Sequence, residues 1–323
     1  MKLFALNRSA TFGELVAKQL GVQLSAHEER EFEDGEHKSR PLENVRNQEV
    51  FVLHSLYSDP VQSVNDKLCR LLFFIGALKD AAAKKVTAII PFLCYARKDR
   101  KTKARDPVTT RYVARVLEAC GADAVVTMDV HNLQAFQNAF TIPTENLEAR
   151  KLFADHLTPF LTNEEAVIMS PDFGGVKRAE QLLQTLEKQL KRELPMVLME
   201  KYRSSGMVWG ERIAGDVKDK IVVIVDDLIS TGGTIARAAA ACKKSGAKKV
   251  VALATHGMFT GNTDDTLGEE ALQQIITTNT IPPFRLEHTR VIEKVTTLNA
   301  APLFAEAIKR LYEGGSIVEL LED

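Results

Sequence analysis

The sequence predicts an α/β protein of two similar domains, each a mainly parallel sheet flanked by helices. Runs rich in Val and Ile alternate with longer segments of helical apolar period, the rhythm of parallel βαβ units. The runs are apolar over most of their length, as in strands covered on both faces. The stretches GADAVVTMD and GAKKVVALAT share one pattern, a helix end, Gly-Ala and a strand, once in each half of the chain.

In chain order, EVFVLHSL (49–56) is a strand and SVNDKLCRLLFFIGALKDAAA (63–83) has the apolar period of a helix. KVTAIIPFL (85–93), TTRYVARVLEACGA (109–122) and DAVVTMDV (123–130) repeat strand, helix, strand. In the second half, AVIMSPDFGG (166–175) leads into the helical VKRAEQLLQTLEKQL (176–190), and PMVLMEK (195–201) follows as a strand. KIVVIVDD (220–227), TIARAAAACKKSGA (234–247) and KVVALATHGMF (249–259) close the series. The boundary is placed near residue 145, around TIPTENLEAR, which gives domains 1–145 and 146–323.

Composition narrows the function classes. The 323 residues carry 42 Lys and Arg against 43 Asp and Glu, so no global field draws the chain to nucleic acid or to an anionic membrane. No apolar run approaches the roughly 20 residues that span a bilayer, and the apolar part of MKLFALNRSA is too short for a secretory signal. Cys69, Cys94, Cys120 and Cys242 are far apart and read as reduced thiols. The expectation is a cytoplasmic protein without nucleic-acid or membrane partners.

The most informative stretch is VVIVDDLISTGGT (222–234). An apolar strand stops at two adjacent carboxylates, Asp226 and Asp227, and a loop of Ser230, Thr231, Gly232, Gly233 and Thr234 opens a helix. In open α/β sheets ligands sit at the carboxyl ends of strands. A loop with few side chains lets main-chain N–H groups close on an anion, and the helix dipole adds to the attraction. The aspartates can accept hydrogen bonds from two neighbouring hydroxyls or help to hold Mg²⁺. A phosphate beside a vicinal diol describes ribose 5-phosphate. The bland reading, an acidic corner with a Thr cap, leaves two like charges at a buried strand end without a cation or donors.

Four further segments follow strands or turns. YARKDRKTKARDP (95–107) sets Arg97, Lys98, Arg100, Lys101, Lys103 and Arg105 against Asp99 and Asp106; it is either a solvated charge run or a site for several phosphates, for which arginine forks are suited. Asp129 and His131 end another strand. Asp172, with Gly174 and Gly175, is either a hard oxygen ligand for Mg²⁺ or a helix N-cap. FEDGE (32–36) alone reads as a surface turn. No GxxxxGK[ST] loop is present, so a bound ATP would be held without one.

Taken together these segments resemble the ribose-phosphate pyrophosphokinases (PRPP synthetases), from FEDGE almost to the C-terminus; VVIVDDLISTGGT alone also resembles type I phosphoribosyltransferases. The resemblance implies two domains of type I phosphoribosyltransferase-like fold and transfer of the β,γ-pyrophosphoryl group of ATP to the C1 hydroxyl of ribose 5-phosphate, with Mg²⁺ as cofactor. It implies that Phe32 stacks on the adenine of ATP in a neighbouring subunit while Asp34 and Glu36 accept its exocyclic N–H. Arg97, Lys98 and Arg100 would contact ATP. His131 would ligate the Mg²⁺ that accompanies it, with Asp129 orienting the imidazole. Asp172 would serve metal and ribose; Asp226, Asp227 and residues 230–234 would hold the sugar phosphate. Lys201 and Arg203 would lie on a mobile catalytic loop and close over the transferring phosphates. A homo-oligomer, a hexamer built from dimers, is implied as well.

The chain departs from the family pattern at Lys98, where Gln is common, at Ser230, where a third aspartate is common, and near Arg105, where the loop is one residue shorter. In GGSIVELLED, Ser316 is kept while Val318 and Leu321 replace residues that line the family's allosteric phosphate and ADP site. Rival readings are a phosphoribosyltransferase, a catalytically inactive regulatory partner of a synthetase, and a kinase that moves only the γ-phosphate. The first leaves FEDGE, YARKDR and DVH unused, and the second is opposed by the retained Lys201, Arg203 and His131.

Overall fold

The structure, a computed structural model, describes residues 1–204 and 207–322; for residues 200–204 and 207–211 it describes the backbone alone. The chain forms two compact units, Met1–Glu148 with Ala300–Asp323, and Ala149–Asn299.

The first unit contains β1 (Lys2–Ala5), α1 (Ala10–Leu20), β2 (His27–Glu31), β3 (His37–Pro41), β4 (Glu49–Leu53), α2 (Val64–Asp80), β5 (Lys85–Ile90), α3 (Thr109–Ala119), β6 (Ala124–Met128), α4 (Leu133–Ala139) and β7 (Thr144–Leu147). Its main sheet has the order β1-β4-β5-β6-β7 and is parallel throughout, while β2 and β3 form a separate antiparallel hairpin. Val50, Val52, Val86, Ala88 and Ile90 pack on Leu71, Phe74, Ile75 and Leu78 of α2 and Val113, Ala114 and Leu117 of α3. Phe51, Leu53, Ile89 and Val126 alternate with the sheet members of that cluster and are buried too. Both faces are therefore covered, which is why these strands read as continuous apolar runs. Ser63 starts α2 with a capping box: its hydroxyl accepts from Asp66 N and its own N–H donates to the Asp66 carboxylate.

The second unit contains α5 (Arg150–Leu161), β8 (Ala166–Ser170), α6 (Val176–Leu190), β9 (Met196–Ser204), β10 (Met207–Ala214), β11 (Ile221–Ile229), α7 (Gly233–Lys244), β12 (Lys249–Gly257), α8 (Thr263–Leu267), β13 (Gln274–Thr278) and β14 (Val295–Leu298). The order is β10-β9-β8-β11-β12-β13-β14, parallel except for β9–β10. Val222, Ile224, Val250 and Ala252 pack with Ile235, Ala238, Ala239 and Cys242 of α7.

The last helices, α9 (Ala301–Glu313) and α10 (Ile317–Glu322), return to the first unit. Phe304 of α9 meets Phe12 of α1 edge to face at 5.5 Å. Residues 300–323, read from the sequence as the end of the second domain, thus complete the core of the first. No helix among the described residues is long and apolar enough to cross a membrane.

Candidate active site

In the second unit β8 runs through α6 to β9 on one side, and β11 runs through α7 to β12 on the other. Neighbouring parallel strands that send their crossovers in opposite directions leave a crevice at their carboxyl ends. β11 also outruns β8. Its last partner on β8 is Met169, opposite Ile224, whereas pairing with β12 continues to Ile229 opposite Gly257. Asp226 and Asp227 therefore lie within β11, not at its end as the sequence suggested, but beyond the reach of β8.

The two carboxylates share one cation. Arg178, in the first turn of α6, brings Nη1 to 3.9 Å from Asp226 Oδ1 and 3.6 Å from Asp227 Oδ1. Asp227 N donates to Asp226 Oδ1 at 2.9 Å. Burial, followed by the hydrogen bond and charge of Asp227, raises the Asp226 carboxyl to about 7, and Arg178 pulls the other way. Arg178 was missing from the sequence-derived site. Its signal was the third position after Gly175 in SPDFGGVKRA, which a helix starting at Val176 turns toward the strand beside it.

The following loop is shaped by glycine. Gly232 has φ +81°, and a Cβ there would stand 2.6 Å from two atoms of Leu267. It is the N-cap of α7 and makes no side-chain cap, so no capping side chain competes with an anion for the first-turn N–H groups. Ser230 is anchored from the far side: its carbonyl accepts from Thr260 N at 2.9 Å and its hydroxyl meets Thr260 Oγ1 at 3.0 Å.

Asp172 follows β8. Its Oδ1 accepts from Gly174 N at 3.0 Å and Gly175 N at 3.2 Å, the capping geometry that the sequence left as an alternative to metal binding. A Cβ at Gly175 would stand 2.9 Å from Ser170 Oγ and force that hydroxyl to shift.

In the first unit the basic segment follows β5. Arg97 and Arg100 are exposed. Lys98, expected at ATP, instead gives its ammonium to Asp106 at 2.6 Å and Thr102 at 3.1 Å. Asp106 also accepts from the Thr102 and Lys103 backbones, and these donors, Lys98 first, hold its carboxyl far below the usual range. Thr110 Oγ1 fixes the start of the loop by donating to the Tyr95 and Lys98 carbonyls.

Asp129, at φ +40°, turns the chain sharply after β6, and Asn132 begins α4 by accepting from Ala135 N at 3.1 Å. The Asn132 amide also donates to Asp99 Oδ2 at 2.6 Å, so the segment bearing exposed His131 is joined to the basic loop. At the β2–β3 turn, Phe32 N donates to Glu36 O at 2.8 Å and Asp34 accepts from Glu36 N at 3.0 Å, which leaves Phe32, Asp34 and Glu36 at the surface. The guanidinium of Arg30 covers the Phe32 ring at 5.3 Å.

The expected residues thus divide by unit. Phe32, Asp34, Glu36, Arg97, Lys98, Arg100 and His131 belong to the first; Asp172, Asp226, Asp227 and residues 230–234 belong to the second. The backbones of Lys201 and Arg203 lie in β9, paired with Glu211 and Val208, so strand stands where a loop was expected; their side chains lie outside the described residues. No cluster of three or more His, Cys, Asp or Glu side chains suited to a metal occurs among the described residues. Mg²⁺ carried by substrate phosphates needs only one or two protein ligands, and a hard carboxylate such as Asp172 suits it by itself.

Comparison with known proteins gives a consistent result. Residues 1–121 match the model for the N-terminal domain of ribose phosphate pyrophosphokinase, and residues 172–322 match that of the phosphoribosyl synthetase-associated domain. A ribose-phosphate pyrophosphokinase of Caldanaerobacter subterraneus subsp. tengcongensis is 38% identical over 321 residues, 99% of this chain and 97% of the relative. Ribose-phosphate pyrophosphokinase 1 of Streptococcus pyogenes serotype M1 is 37% identical over 326 aligned positions, 100% of this chain and 98% of the relative. The crystal structure of phosphoribosylpyrophosphate synthetase from Mycobacterium smegmatis superposes with a TM-score of 0.87 at 36% identity, covering 97% of this chain and 99% of that one.

Proposed function

The chain belongs to the ribose-phosphate pyrophosphokinase family, and from that premise we propose how its residues share the work. The enzyme makes 5-phosphoribosyl 1-pyrophosphate and AMP from ATP and ribose 5-phosphate. The C1 oxygen of the sugar bonds to the β-phosphorus of ATP, the bond from that phosphorus to the α-phosphate oxygen breaks, and the hydroxyl proton is released. Such transfers depend on positioning and charge neutralisation more than on covalent catalysis.

The observation that carries the assignment of the sugar site is the coincidence, at one switch point, of an uncapped helix start and a carboxylate pair. The 5-phosphate lies on the main-chain N–H groups of Ser230 to Thr234. Asp226 and Asp227 accept hydrogen bonds from the ring hydroxyls. Arg178 opposes the rise that burial and Asp227 impose on the Asp226 carboxyl, and so favours its ionised form.

ATP is held by Arg97 and Arg100, with Phe32, Asp34 and Glu36 on the adenine. Lys98 acts indirectly, by closing the loop on Asp106. Lys201 and Arg203 neutralise charge in the transition state, where cationic donors supply roughly 3–4 kcal/mol each. Mg²⁺ would be held by His131 in the first unit and by Asp172 in the second, and would offset the charge of the phosphates. The first domain thereby serves ATP and subunit contacts, and the second serves the sugar phosphate.

Two coarser readings accompany this one. All four cysteines are free, which suits the reducing cytoplasm. A homo-oligomer is what the family resemblance implies; light scattering on the purified protein measures the assembly directly.

Phosphorus NMR of the protein with Mg²⁺, ATP and ribose 5-phosphate tests the reaction. AMP and a pyrophosphorylated sugar are expected. ADP would mean γ-phosphate transfer and would require new roles for Lys201 and Arg203.

A further inference from the structure

Two segments assigned to ATP leave different strands of the first sheet. Arg97 and Arg100 follow β5; His131 follows β6. Neighbouring parallel strands bring the two starts close, but nothing in the strands sets how the segments stand beyond them. Arg97, Arg100 and His131 are all exposed. A side-chain contact ties the segments. Asn132 Nδ2 donates to Asp99 Oδ2 at 2.6 Å, and Asp99 stands midway between Arg97 and the residue after Arg100, while Asn132 adjoins His131.

Asn132 is suited to this by having two functional ends. Its Oδ1 accepts from Ala135 N at 3.1 Å and caps α4, which fixes the amide plane. With the oxygen committed to the helix, the nitrogen is presented to Asp99. Serine or aspartate would cap the helix equally well but could not donate an N–H to a carboxylate. The contact is also charge-assisted, the stronger kind of hydrogen bond. Asp99 in turn lies in a loop held by its own bonds, from Lys98 to Asp106 and from Thr110 to the Tyr95 and Lys98 carbonyls. A single bond at Asp99 therefore locates a braced loop as a body.

We propose that Asn132 is a positioning residue for the nucleotide: through Asp99 it sets the distance between the arginines on the phosphates and the imidazole at the accompanying cation. This deepens the nucleotide assignment made above and rests on it. Asn132 touches no reacting atom, and its effect falls on ATP, not on ribose 5-phosphate.

Aspartate in place of Asn132 keeps the cap and turns the contact into two facing carboxylates. Asn132→Asp is therefore expected to raise the KM for ATP roughly tenfold or more, the worth of one charge-assisted bond. The KM for ribose 5-phosphate and the melting temperature should stay near the parent values. Asp99→Asn alone is expected to be mild, because its amide can turn its oxygen to Asn132. The double variant Asn132→Asp with Asp99→Asn reverses donor and acceptor, keeps the cap, and should restore most of the ATP affinity. Arg97→Ala and Arg100→Ala are measured alongside. If these raise the KM for ATP while Asn132→Asp does not, or if the double variant fails to rescue, the positioning role is overturned. If the arginine variants leave the KM for ATP unchanged, the nucleotide assignment fails and the role of Asn132 fails with it.

Discussion

Arg178 Nη1 stands 3.6 Å from Asp227 Oδ1, reaching from the first turn of α6 to a carboxylate on β11. At that distance it acts by charge, and it offsets the mutual repulsion of Asp226 and Asp227. Its removal should be visible first in the dependence of sugar binding on pH.

Burial and Asp227 raise the Asp226 carboxyl, while Arg178 lowers it. Arg178→Met removes the lowering influence, so Asp226 stays protonated to higher pH. Protonated, it loses an acceptor for a ribose hydroxyl. The KM for ribose 5-phosphate should therefore rise about tenfold near pH 7, the equivalent of a one-unit displacement, and recover in part at about pH 9. Steady-state kinetics across that range decide the matter. A uniform rise at every pH would mean that Arg178 contacts the substrate instead.

Asp226 should also leave a mark on stability. Its folded pKa lies above the unfolded one, so its contribution is fully present below the ordinary carboxylate range and is lost as pH rises through about 7. Asp226→Asn removes this loss. Without substrates or Mg²⁺, the variant should be more stable than the parent at pH 8 by about 1–3 kcal/mol, with the difference closing near pH 4. Thermal melts at both pH values measure it. Equal differences at the two values would show that the carboxylate is already matched by donors.

Much of this was legible in local pattern, and the misses share a cause. The strands of both sheets stand out because helices on each face demand Val and Ile at nearly every position, as in IVVIV before Asp226. The continuation of β11 to Ile229 was not legible, because it depends on partners in β12 such as His256 opposite Leu228. The return of α9 to the first unit rests on Phe304 meeting Phe12, a pairing between opposite ends of the chain. In the site, motif spacing located Asp226, Asp227 and the glycine loop. It did not locate the ammonium of Lys98 on Asp106, or Arg178, since side-chain partners are chosen by the fold. Asp172 was read as ligand or cap, and its observed bonds are those of a cap.

Gly232 offers a test of the loop itself. Gly232→Ala places a side chain at φ +81° and against Leu267. The left-handed conformation alone costs roughly 1–2 kcal/mol. The variant should melt lower and bind ribose 5-phosphate more weakly. Adding Leu267→Ala removes the clash but not the backbone strain. The expected result is partial recovery of sugar binding without recovery of stability, because Leu267 is itself buried. Wild-type binding by Gly232→Ala would remove the loop from the sugar site.

Asp172 can be divided into its two roles by one substitution. Asn retains an oxygen acceptor for the Gly174 and Gly175 N–H groups but carries no charge. If Asp172 serves as a ligand, Asp172→Asn should leave the melting temperature within about a degree while raising the Mg²⁺ needed for half-maximal activity roughly tenfold, since a neutral oxygen is a poorer partner for a hard cation. Asp172→Ala should lose both functions and also melt lower, by the ~1 kcal/mol typical of a lost cap. Titrating Mg²⁺ for the parent and both variants separates the cases. An Asn variant with the parent's Mg²⁺ requirement would confine Asp172 to capping and leave the cation to His131 and the substrate phosphates.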